Sequence, residues 1–381
     1  MLSNFTLRKS FNDLSLREDA SLKCLDCENE SELSLQFECP KCGGAQKVIY
    51  PNLTALKKGR GMSRYASVLP IRGVDWGRES SPLIRLDSVD RVWAKNEGAL
   101  PNGNTKYRQA LVSVASFLSR GVHQLVVAST GNSANSYCHA AFTYAPQLEL
   151  DVFVPASHQG RIKYGGPNIS LHVSDVDFVE SGILAKKFSI QTGRMSDGGF
   201  MNPYRREGLK IGYLEAIEQF IKANGTGPDF FVQAISSGMG IVAAHSAFSQ
   251  AIEMGLMDHM PAMIAVQQET CAPVVTAFNS GKRAIQDSDI IRNPKGLASA
   301  ILRGNPSRSY PYLLKVIEAT QGTFVSVDAD ALRASKKMLA ADGIEACYAA
   351  SATHAAVNKL RNLNHESVQG NGIVMITGSK D

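Results

Sequence analysis

The run Asn102-Gly-Asn-Thr-Lys106-Tyr-Arg108 decides the fold assignment, because it joins a Gly/Asn loop to a helical pattern that begins at the lysine. The apolar residues of 107–120 recur with a helical period, and Gly121 suits the end of that helix. A lysine that begins a helix meets the positive end of the helix dipole, which lowers its proton affinity. Such an amine is suited to attack an aldehyde. Taken alone, a lysine in a polar loop is more often a solvated surface residue.

Two further loops each follow an apolar strand pattern and open a helical one. Ala128-Ser-Thr-Gly-Asn132-Ser-Ala is the first, and its backbone N–H groups and hydroxyls suit a carboxylate. Ser236-Ser-Gly238-Met-Gly240 is the second, where glycines let a phosphate approach successive N–H groups. This second loop lacks the lysine of a nucleotide P-loop and the spacing of a dinucleotide fingerprint. Each loop alone also fits an ordinary strand-to-helix turn.

The remainder of the chain alternates short apolar strands with helices of ten or more residues, which predicts parallel sheets covered on both faces. Strands are predicted at 47–50, 124–128, 148–154, 230–235, 263–267 and 373–377. Helices are predicted over 107–120, 133–144, 207–223, 239–254 and 330–341. Because 381 residues exceed the usual size of one domain, two lobes and a small appendage are expected.

The order of the lysine turn, the Ser-Thr-Gly-Asn turn and the glycine loop resembles that of fold-type II pyridoxal-phosphate (PLP) enzymes. Within that group the chain resembles the threonine synthase family, because 202–210 reads Asn-Pro-Tyr-Arg-Arg-Glu-Gly-Leu-Lys against the family's Asn-Pro-x-Arg-x-x-Gly-x-Lys. Further matches lie at 81–83, 95–98, 267–273, 298–306 and 377–381. The similarity extends from about residue 20 to the end, in the family's order.

This resemblance implies an α/β, two-lobed parallel-sheet fold of the tryptophan synthase β type with an N-terminal zinc ribbon. It divides the chain into a leader (1–20), the ribbon (21–50), a large PLP-binding domain (51–106 and 201–381) and a smaller mobile domain (107–200). A homodimer is expected on the same grounds.

The resemblance also implies roles for individual residues. Lys106 is expected to bind the cofactor covalently and to act as the catalytic base. The residues expected to contact the cofactor are Asn132, Ser236, Ser237, Gly238, Met239, Gly240 and Thr377. Those expected to contact the substrate are Ser129, Thr130 and Ser133 at its carboxylate, and Asn202 and Arg205 at a phosphate. A neutral hydroxyl at the pyridine nitrogen, from Thr377, gives a weaker electron sink than an aspartate and favours elimination or replacement over transamination.

The expected reaction is that of a carbon–oxygen lyase or replacement synthase acting on a phosphorylated hydroxy-amino acid. A threonine synthase-like conversion of O-phosphohomoserine and water into threonine and phosphate is favoured. A cysteate synthase-like β-replacement on O-phosphoserine, by sulfite or another nucleophile, stays open, as does a serine or threonine dehydratase. The chain departs from the family at Thr105 and Tyr107, where relatives carry Phe and Asp, and at Cys347-Tyr-Ala-Ala350, where many carry Glu-Pro-Ala-Ser.

Four cysteines form two Cys-x-x-Cys pairs separated by eleven residues, at Cys24, Cys27, Cys39 and Cys42. Four thiolates at this spacing can close tetrahedrally on a structural Zn²⁺. The same pattern also fits reduced cysteines without metal, or a ribbon that binds nucleic acid. A non-catalytic protein of this fold, whose ribbon binds RNA or a protein, is therefore an alternative of another class.

Composition limits the other classes of protein. The net charge of +5 is modest and the basic residues are scattered, whereas a nucleic-acid interface concentrates them. No apolar run approaches the roughly 18 residues that span a bilayer, and the first nineteen residues lack the apolar core of a signal peptide. A cytoplasmic protein with a small-molecule substrate and no membrane partner is expected.

Overall fold

Strands and helices alternate along the chain in the computed structural model, which describes residues 11, 14–51, 53, 56–129, 131–176 and 178–380. The strands are β1 (Ser15–Leu16), β2 (Ser21–Cys24), β3 (Glu30–Glu32), β4 (Gln46–Ile49), β5 (Ile71–Arg72), β6 (Leu83–Arg85), β7 (Val92–Asn96), β8 (Gln124–Ala128), β9 (Glu149–Pro155), β10 (Ile169–Ser174), β11 (Met195–Ser196), β12 (Phe230–Ala234), β13 (Ala262–Gln268), β14 (Thr323–Val327) and β15 (Gly372–Ile376). The α-helices are α1 (Lys106–Leu118), α2 (Asn132–Thr143), α3 (Phe178–Thr192), α4 (Pro203–Asn224), α5 (Met239–Glu253), α6 (Pro273–Asn279), α7 (Tyr310–Ala319), α8 (Ala329–Ala341) and α9 (Tyr348–Asn362). Short 3₁₀ helices lie at Gly61–Val68, Glu97–Ala99, Ala156–Arg161, Gly199–Met201, Asp287–Asp289, Ser299–Ile301 and Glu366–Val368.

The chain packs into two compact units. The first comprises Met1–Glu79 and Lys106–Gly208, and the second comprises Ser80–Thr105 and Leu209–Asp381. The four-cysteine segment and residues 51–79 therefore belong with the smaller parallel sheet, whereas the sequence places 51–79 in the larger domain. Motion of the smaller domain stays a prediction.

The first unit is built on a parallel sheet of order β10-β9-β8-β11. Its central strands, β8 and β9, are apolar along most of their length because helices cover both faces. Tyr137 of α2 donates a hydrogen bond to Ser113 of α1, which joins these two helices, and α3 packs Ala185 on the other face against Val126 and Phe153. The four-cysteine segment forms a separate antiparallel sheet of order β3-β2-β4.

The second unit is built on a six-stranded sheet of order β14-β13-β12-β15-β7-β6, parallel except for the edge pair β6–β7. On one face, residues such as Val232 and Val374 pack against α8 and α9 in a continuous apolar core. On the other face, Phe231 packs edge-on against Tyr213 of α4 and Phe248 of α5. All the carboxyl ends of the parallel strands point the same way, so the loops after β12 and β15 emerge at one edge of this sheet.

The predicted elements are present with shifts of a few residues at their ends. The predicted strand 124–128 coincides with β8, and the predicted helix 107–120 begins one residue earlier at Lys106 and ends at Leu118. Gly121 adopts the left-handed conformation expected of a residue that ends a helix. Among the residues that the structure describes, no helix combines the length and the apolarity that a membrane span requires.

Candidate active site

Lys106 is the first residue of α1 and is partly accessible to solvent. Burial of its amine, and secondarily the positive charge of Arg205, lower the pKa of Lys106 from 10.5 to about 8. Both causes disfavour the ammonium form. The lysine predicted to be catalytic therefore has a substantial unprotonated population near neutral pH.

Arg205 lies in a polar cluster of the first unit and is 8% exposed. One terminal nitrogen is ion-paired with the carboxylate of Asp197, and the other donates to Ser133 Oγ at 3.3 Å. Gln109, oriented with its amide oxygen towards the guanidinium, accepts from Nη2 at 2.7 Å and from Nε at 3.0 Å. The cluster thus presents one nearly buried cation, held in a fixed orientation, near the amine of Lys106.

Asn202 makes internal hydrogen bonds, and its contact with a substrate phosphate stays a prediction. Its side chain is fully buried, and its amide nitrogen donates to Ser113 Oγ at 3.0 Å and to the Asp197 carbonyl at 2.8 Å. Its amide oxygen accepts from the backbone N–H of Tyr204 at 2.9 Å, the bond that a residue preceding a helix makes. Because these bonds occupy the side chain, Asn202 fixes the start of α4 and so the position of Arg205.

The Ser-Thr-Gly-Asn turn lies where β8 leads into α2. Ser129 is 6% exposed, and its hydroxyl accepts from the Gly131 N–H at 3.2 Å; Thr130 lies outside the described residues. Asn132 and Ser133 open α2 and stay partly exposed. A side chain on Gly131, whose φ is +126°, would approach Arg161 Cδ within 2.5 Å, so only glycine fits here.

The glycine loop of the second unit joins β12 to α5. Gly238 has φ +77° and immediately precedes α5, where no side chain caps the helix. A Cβ on Gly238 would collide with Leu313, and one on Gly240 would approach Tyr213 Oη within 2.9 Å. Ser236 and Ser237 are partly exposed, whereas Met239 is buried. The loop therefore offers backbone N–H groups that no side chain caps, and its two glycines cannot be replaced without a collision.

Thr377 follows β15 and is half-buried. Its carbonyl accepts from the Thr105 N–H at 2.9 Å, and the Gly103 carbonyl accepts from Ser379 N–H at 3.0 Å. The C-terminal segment of the second unit is thus hydrogen-bonded to the loop that ends just before Lys106. The structure brings Arg205 and Ser133 together near Lys106 in the first unit, and sets Thr377 beside this loop in the second.

The four cysteines of the N-terminal segment lie close together. Their sulfur atoms are all within 4.8 Å of one another, with 3.5 Å between Cys24 and Cys42 and 3.7 Å between Cys27 and Cys39. Tetrahedral zinc with Zn–S bonds of about 2.3 Å requires S···S separations of roughly 3.8 Å. The four sulfurs can therefore hold one metal ion.

Comparison with known proteins agrees with this geometry. The family described as "Pyridoxal-phosphate dependent enzyme" matches residues 77–378. Threonine synthase of Methanosarcina acetivorans is 29% identical, covering 89% of this chain and 86% of its own, and cysteate synthase of Methanospirillum hungatei is 26% identical, covering 85% and 81%. Among solved structures, threonine synthase of Escherichia coli superposes with a TM-score of 0.69 at 15% identity, covering 94% of this chain and 88% of that one.

The fold and the family match define a fold-type II PLP-dependent lyase or synthase. The chain belongs to the pyridoxal-phosphate-dependent enzyme family, with threonine synthases and cysteate synthases among its relatives. The residues fit the cofactor, because the loop before α5 has two glycines at which a Cβ would collide with neighbours, and because the amine of Lys106 has a lowered pKa. The resemblance inferred from the sequence is therefore confirmed, and so is the enzyme class.

Two contacts near the candidate site are not predicted by the sequence. Asp197, the counter-ion of Arg205, precedes two glycines, and that turn was the only local signal for it. Tyr107, which replaces the family's aspartate, is 1% exposed and donates to Glu79 Oε2 at 2.6 Å, so a carboxylate is supplied from a different segment.

The family motifs at 81–83 and 95–98 build a buried support. Lys95 Nζ donates to the Ser81 carbonyl and to Glu215 Oε1, each at 2.6 Å, while the Ser81 hydroxyl donates to Glu97 Oε1 at 2.5 Å. Lys95 and Glu97 are both fully buried. A buried charge is tolerated only with such partners, so these residues stabilise the second unit from within.

Proposed function

We propose that this enzyme is threonine synthase-like and converts O-phosphohomoserine and water into threonine and phosphate. One observation carries the proposal: a nearly buried, oriented arginine, Arg205, lies close enough to Lys106 to lower the pKa of its amine. An arginine fork recognises phosphate oxygens, and a neutral amine can accept a proton from the same substrate. The similarity to threonine synthases over most of the chain supports this assignment.

PLP is expected to be held by Lys106, by Asn132, by the loop 236–240 and by the hydroxyl of Thr377. When bound, the cofactor supplies an electron sink for charge that develops at the substrate Cα. The N–H groups at the start of α5 suit its phosphate, because they carry the positive end of the helix dipole. The residue expected at the ring nitrogen is Thr377, which would offer a neutral hydroxyl rather than a carboxylate.

Lys106 is expected to act as the base. With a pKa of about 8, roughly a quarter of its amines are neutral at pH 7.5, against about one in a thousand for an unperturbed lysine. The neutral amine removes the proton at Cα of the substrate and can return a proton later in the reaction. Arg205 helps to keep the amine neutral, because its own charge disfavours the ammonium.

The substrate anions are expected to be divided between two groups of donors in the first unit. The turn 129–133 receives the carboxylate through backbone N–H groups and hydroxyls at the start of α2. Arg205 binds the phosphate and stabilises the negative charge that it carries as it departs. Asn202 acts indirectly, by fixing the start of the helix that carries Arg205. A proton also leaves Cβ as the phosphate departs from Cγ. Protons are then added at Cγ and returned to Cα, and water adds at Cβ, which gives threonine and phosphate.

A second candidate is a cysteate synthase-like β-replacement on O-phosphoserine, which the 26% identity to cysteate synthase of Methanospirillum hungatei supports. One assay separates the two. Phosphate release is measured from O-phosphohomoserine and from O-phosphoserine, each with and without sulfite. Release from O-phosphohomoserine without sulfite, with threonine as product, supports the first candidate, and sulfite-dependent release from O-phosphoserine supports the second.

If neither substrate releases phosphate, the proposal of a phosphorylated substrate is excluded, and the dehydration of serine or threonine would be tested next. A purified protein without the absorbance of bound PLP would instead favour a non-catalytic role, with the ribbon binding nucleic acid or protein. A cytoplasmic homodimer that uses only small-molecule partners remains part of the proposal, and light scattering of the purified protein measures its oligomeric state.

Structural Zn²⁺ at Cys24, Cys27, Cys39 and Cys42 is also proposed. All four sulfurs are used, so no position stays open for a substrate. One zinc per chain is expected by elemental analysis, and Cys27→Ser is expected to lose it. Retention of zinc by that variant would contradict the assignment.

A further inference from the structure

The first turn of α4 is held from two directions within the first unit. Successive residues of a helix point about 100° apart, so four consecutive residues face all round the axis. Arg205 faces the cluster with Asp197 and Ser133, while Tyr204, Arg206 and Glu207 face other directions. Their contacts run to the ribbon, defined as residues 21–50.

Two tyrosines make the outer contacts between this turn and the ribbon. Tyr50 of the ribbon donates its hydroxyl to Glu207 Oε2 at 2.5 Å, and both residues are buried. Tyr204 of α4 donates its hydroxyl to the Ser34 carbonyl at 2.8 Å. Burial, followed by the charge of Glu207, raises the pKa of Tyr50 far above its ordinary value, so Tyr50 stays a donor at any pH of interest.

Arg206 makes the central contact and is 4% exposed. Its guanidinium donates to the Gln46 carbonyl in the ribbon and to the Phe200 carbonyl in the loop before α4. Phe37 of the ribbon lies so close to Gly198 that a Cβ there would collide with its ring. The ribbon therefore fixes both the loop 197–201 and the helix turn that follows it.

We propose that the ribbon is a positioning element for substrate binding: by holding Tyr204, Arg206 and Glu207, it sets the orientation of Arg205. The proposal rests on the proposed function of Arg205 as the receiver of the substrate phosphate. Tyr50 and Arg206 are positioning residues, because they act through the α4 backbone and do not touch substrate. The ribbon would thus contribute to the affinity for the substrate, in addition to keeping the N-terminal segment folded.

The physical reason is that this turn cannot keep its position without the ribbon. Arg206 and Glu207 are buried charges that each have a partner in the ribbon, and losing a partner raises the free-energy cost of keeping a charge buried. Movement of those residues rotates the turn and carries Arg205 with it. A displacement of about 1 Å at a binding group can change a rate on the order of a hundredfold.

The test is the variant Tyr50→Phe, which removes one hydroxyl and keeps the ring. KM for the phosphorylated substrate is expected to rise about three- to tenfold, as for the loss of one hydrogen bond, with kcat within about twofold. The cofactor absorbance should not change, because Tyr50 is not among the residues expected to contact the cofactor. In an Arg205→Lys background the same substitution should have little further effect on KM, because the oriented fork is already lost.

Lys23→Gln is the matched control. Lys23 belongs to the same ribbon, and its ion pairs within the described part of the chain are with exposed Glu28 and Glu30, at 3.7 and 3.9 Å. It should leave KM unchanged. An unchanged KM in Tyr50→Phe, an equal rise in Lys23→Gln, or an undiminished effect in the Arg205→Lys background would overturn the proposal.

Two further measurements keep the test decisive. If Tyr50→Phe folds poorly, Tyr204→Phe removes the contact to Ser34 without leaving a charge unpaired, and the same rise in KM is expected. If the wild-type enzyme releases no phosphate from any phospho-amino acid, the proposed function fails while the positioning claim is still tested by hydrogen exchange. Faster exchange of the amides of 204–210 in Tyr50→Phe than in Lys23→Gln supports it, and equal rates refute it.

Discussion

Replacing Asp197 by asparagine, Asp197→Asn, should strengthen the binding of phosphate to the enzyme. Asp197 is 8% exposed and ion-paired with Arg205, so its charge opposes any phosphate that approaches the same guanidinium. At about 5 Å and an effective dielectric constant of about 20, that repulsion is roughly 3 kcal/mol. Some of it is lost because Arg205 becomes less well oriented, so we expect a net gain of about 1–2 kcal/mol, or five- to thirtyfold in Kd.

The asparagine preserves the local fold, because its amide oxygen can still accept from the Gly199 N–H and the backbone carbonyl at 197 still accepts from Asn202. Inorganic phosphate is titrated calorimetrically into the PLP-loaded enzyme, in which the cofactor's own phosphate is expected to occupy the glycine loop. Asp258→Asn makes the same charge change at an exposed residue and serves as the control. Equal affinities in Asp197→Asn and wild type, or equal tightening in both variants, would refute the reasoning.

Three further outcomes are expected. Lys106→Ala should abolish the absorbance of bound PLP while leaving the melting temperature within a few degrees, because the side chain is partly exposed; retained absorbance would show that another lysine binds the cofactor. The rate at which the apoenzyme captures PLP should fall about tenfold per pH unit below about pH 8, because the amine of Lys106 is protonated there. Arg205→Gln should raise the pKa of Lys106 and move this fall to higher pH, and a fall centred near pH 10.5 in the wild type would contradict the lowered pKa. Gly238→Ala should weaken PLP binding at least about tenfold and lower the free energy of unfolding by about 2–4 kcal/mol, because a left-handed backbone is combined with a collision at Leu313. The control Gly343→Ala has the same φ of +77° and no atom within 4 Å of the new Cβ, so it should lower the free energy of unfolding by only the backbone cost of about 1–2 kcal/mol.

The elements that the sequence predicted are those with a strong local pattern. Strand β8 is an apolar run bounded by a polar loop, and α1 has a helical period that begins at the lysine and ends before a glycine. Helix α9 was missed because it contains many small residues, five of its first nine being alanine, which give little contrast between its faces. Strand β10 was missed because it lies at the sheet edge with alternating polar residues and no continuous apolar run.

The candidate site was predictable in part. Lys106 and the two glycine-containing loops follow strands and open helices, so their order along the chain was enough to indicate the family and its cofactor. The hydrogen bonds of the substrate residues were less predictable: Asn202 matches the family motif, but the motif did not indicate its internal bonds to Ser113, Asp197 and Tyr204. A motif shows which residue is present, whereas the hydrogen-bond partners of that residue depend on packing.

The amino-acid sequence by itself determined the class of fold and the cofactor, and it predicted the reactive lysine and the metal ligands, because each depends on local patterns and fixed spacings. Only the tertiary structure decided the pairing of Arg205 with Asp197, the depressed pKa of Lys106 and the attachment of the ribbon to the first turn of α4. Electrostatic shifts and buried hydrogen bonds depend on distance and desolvation between residues far apart along the chain, such as Tyr50 and Glu207. Those quantities exist only once the chain has folded.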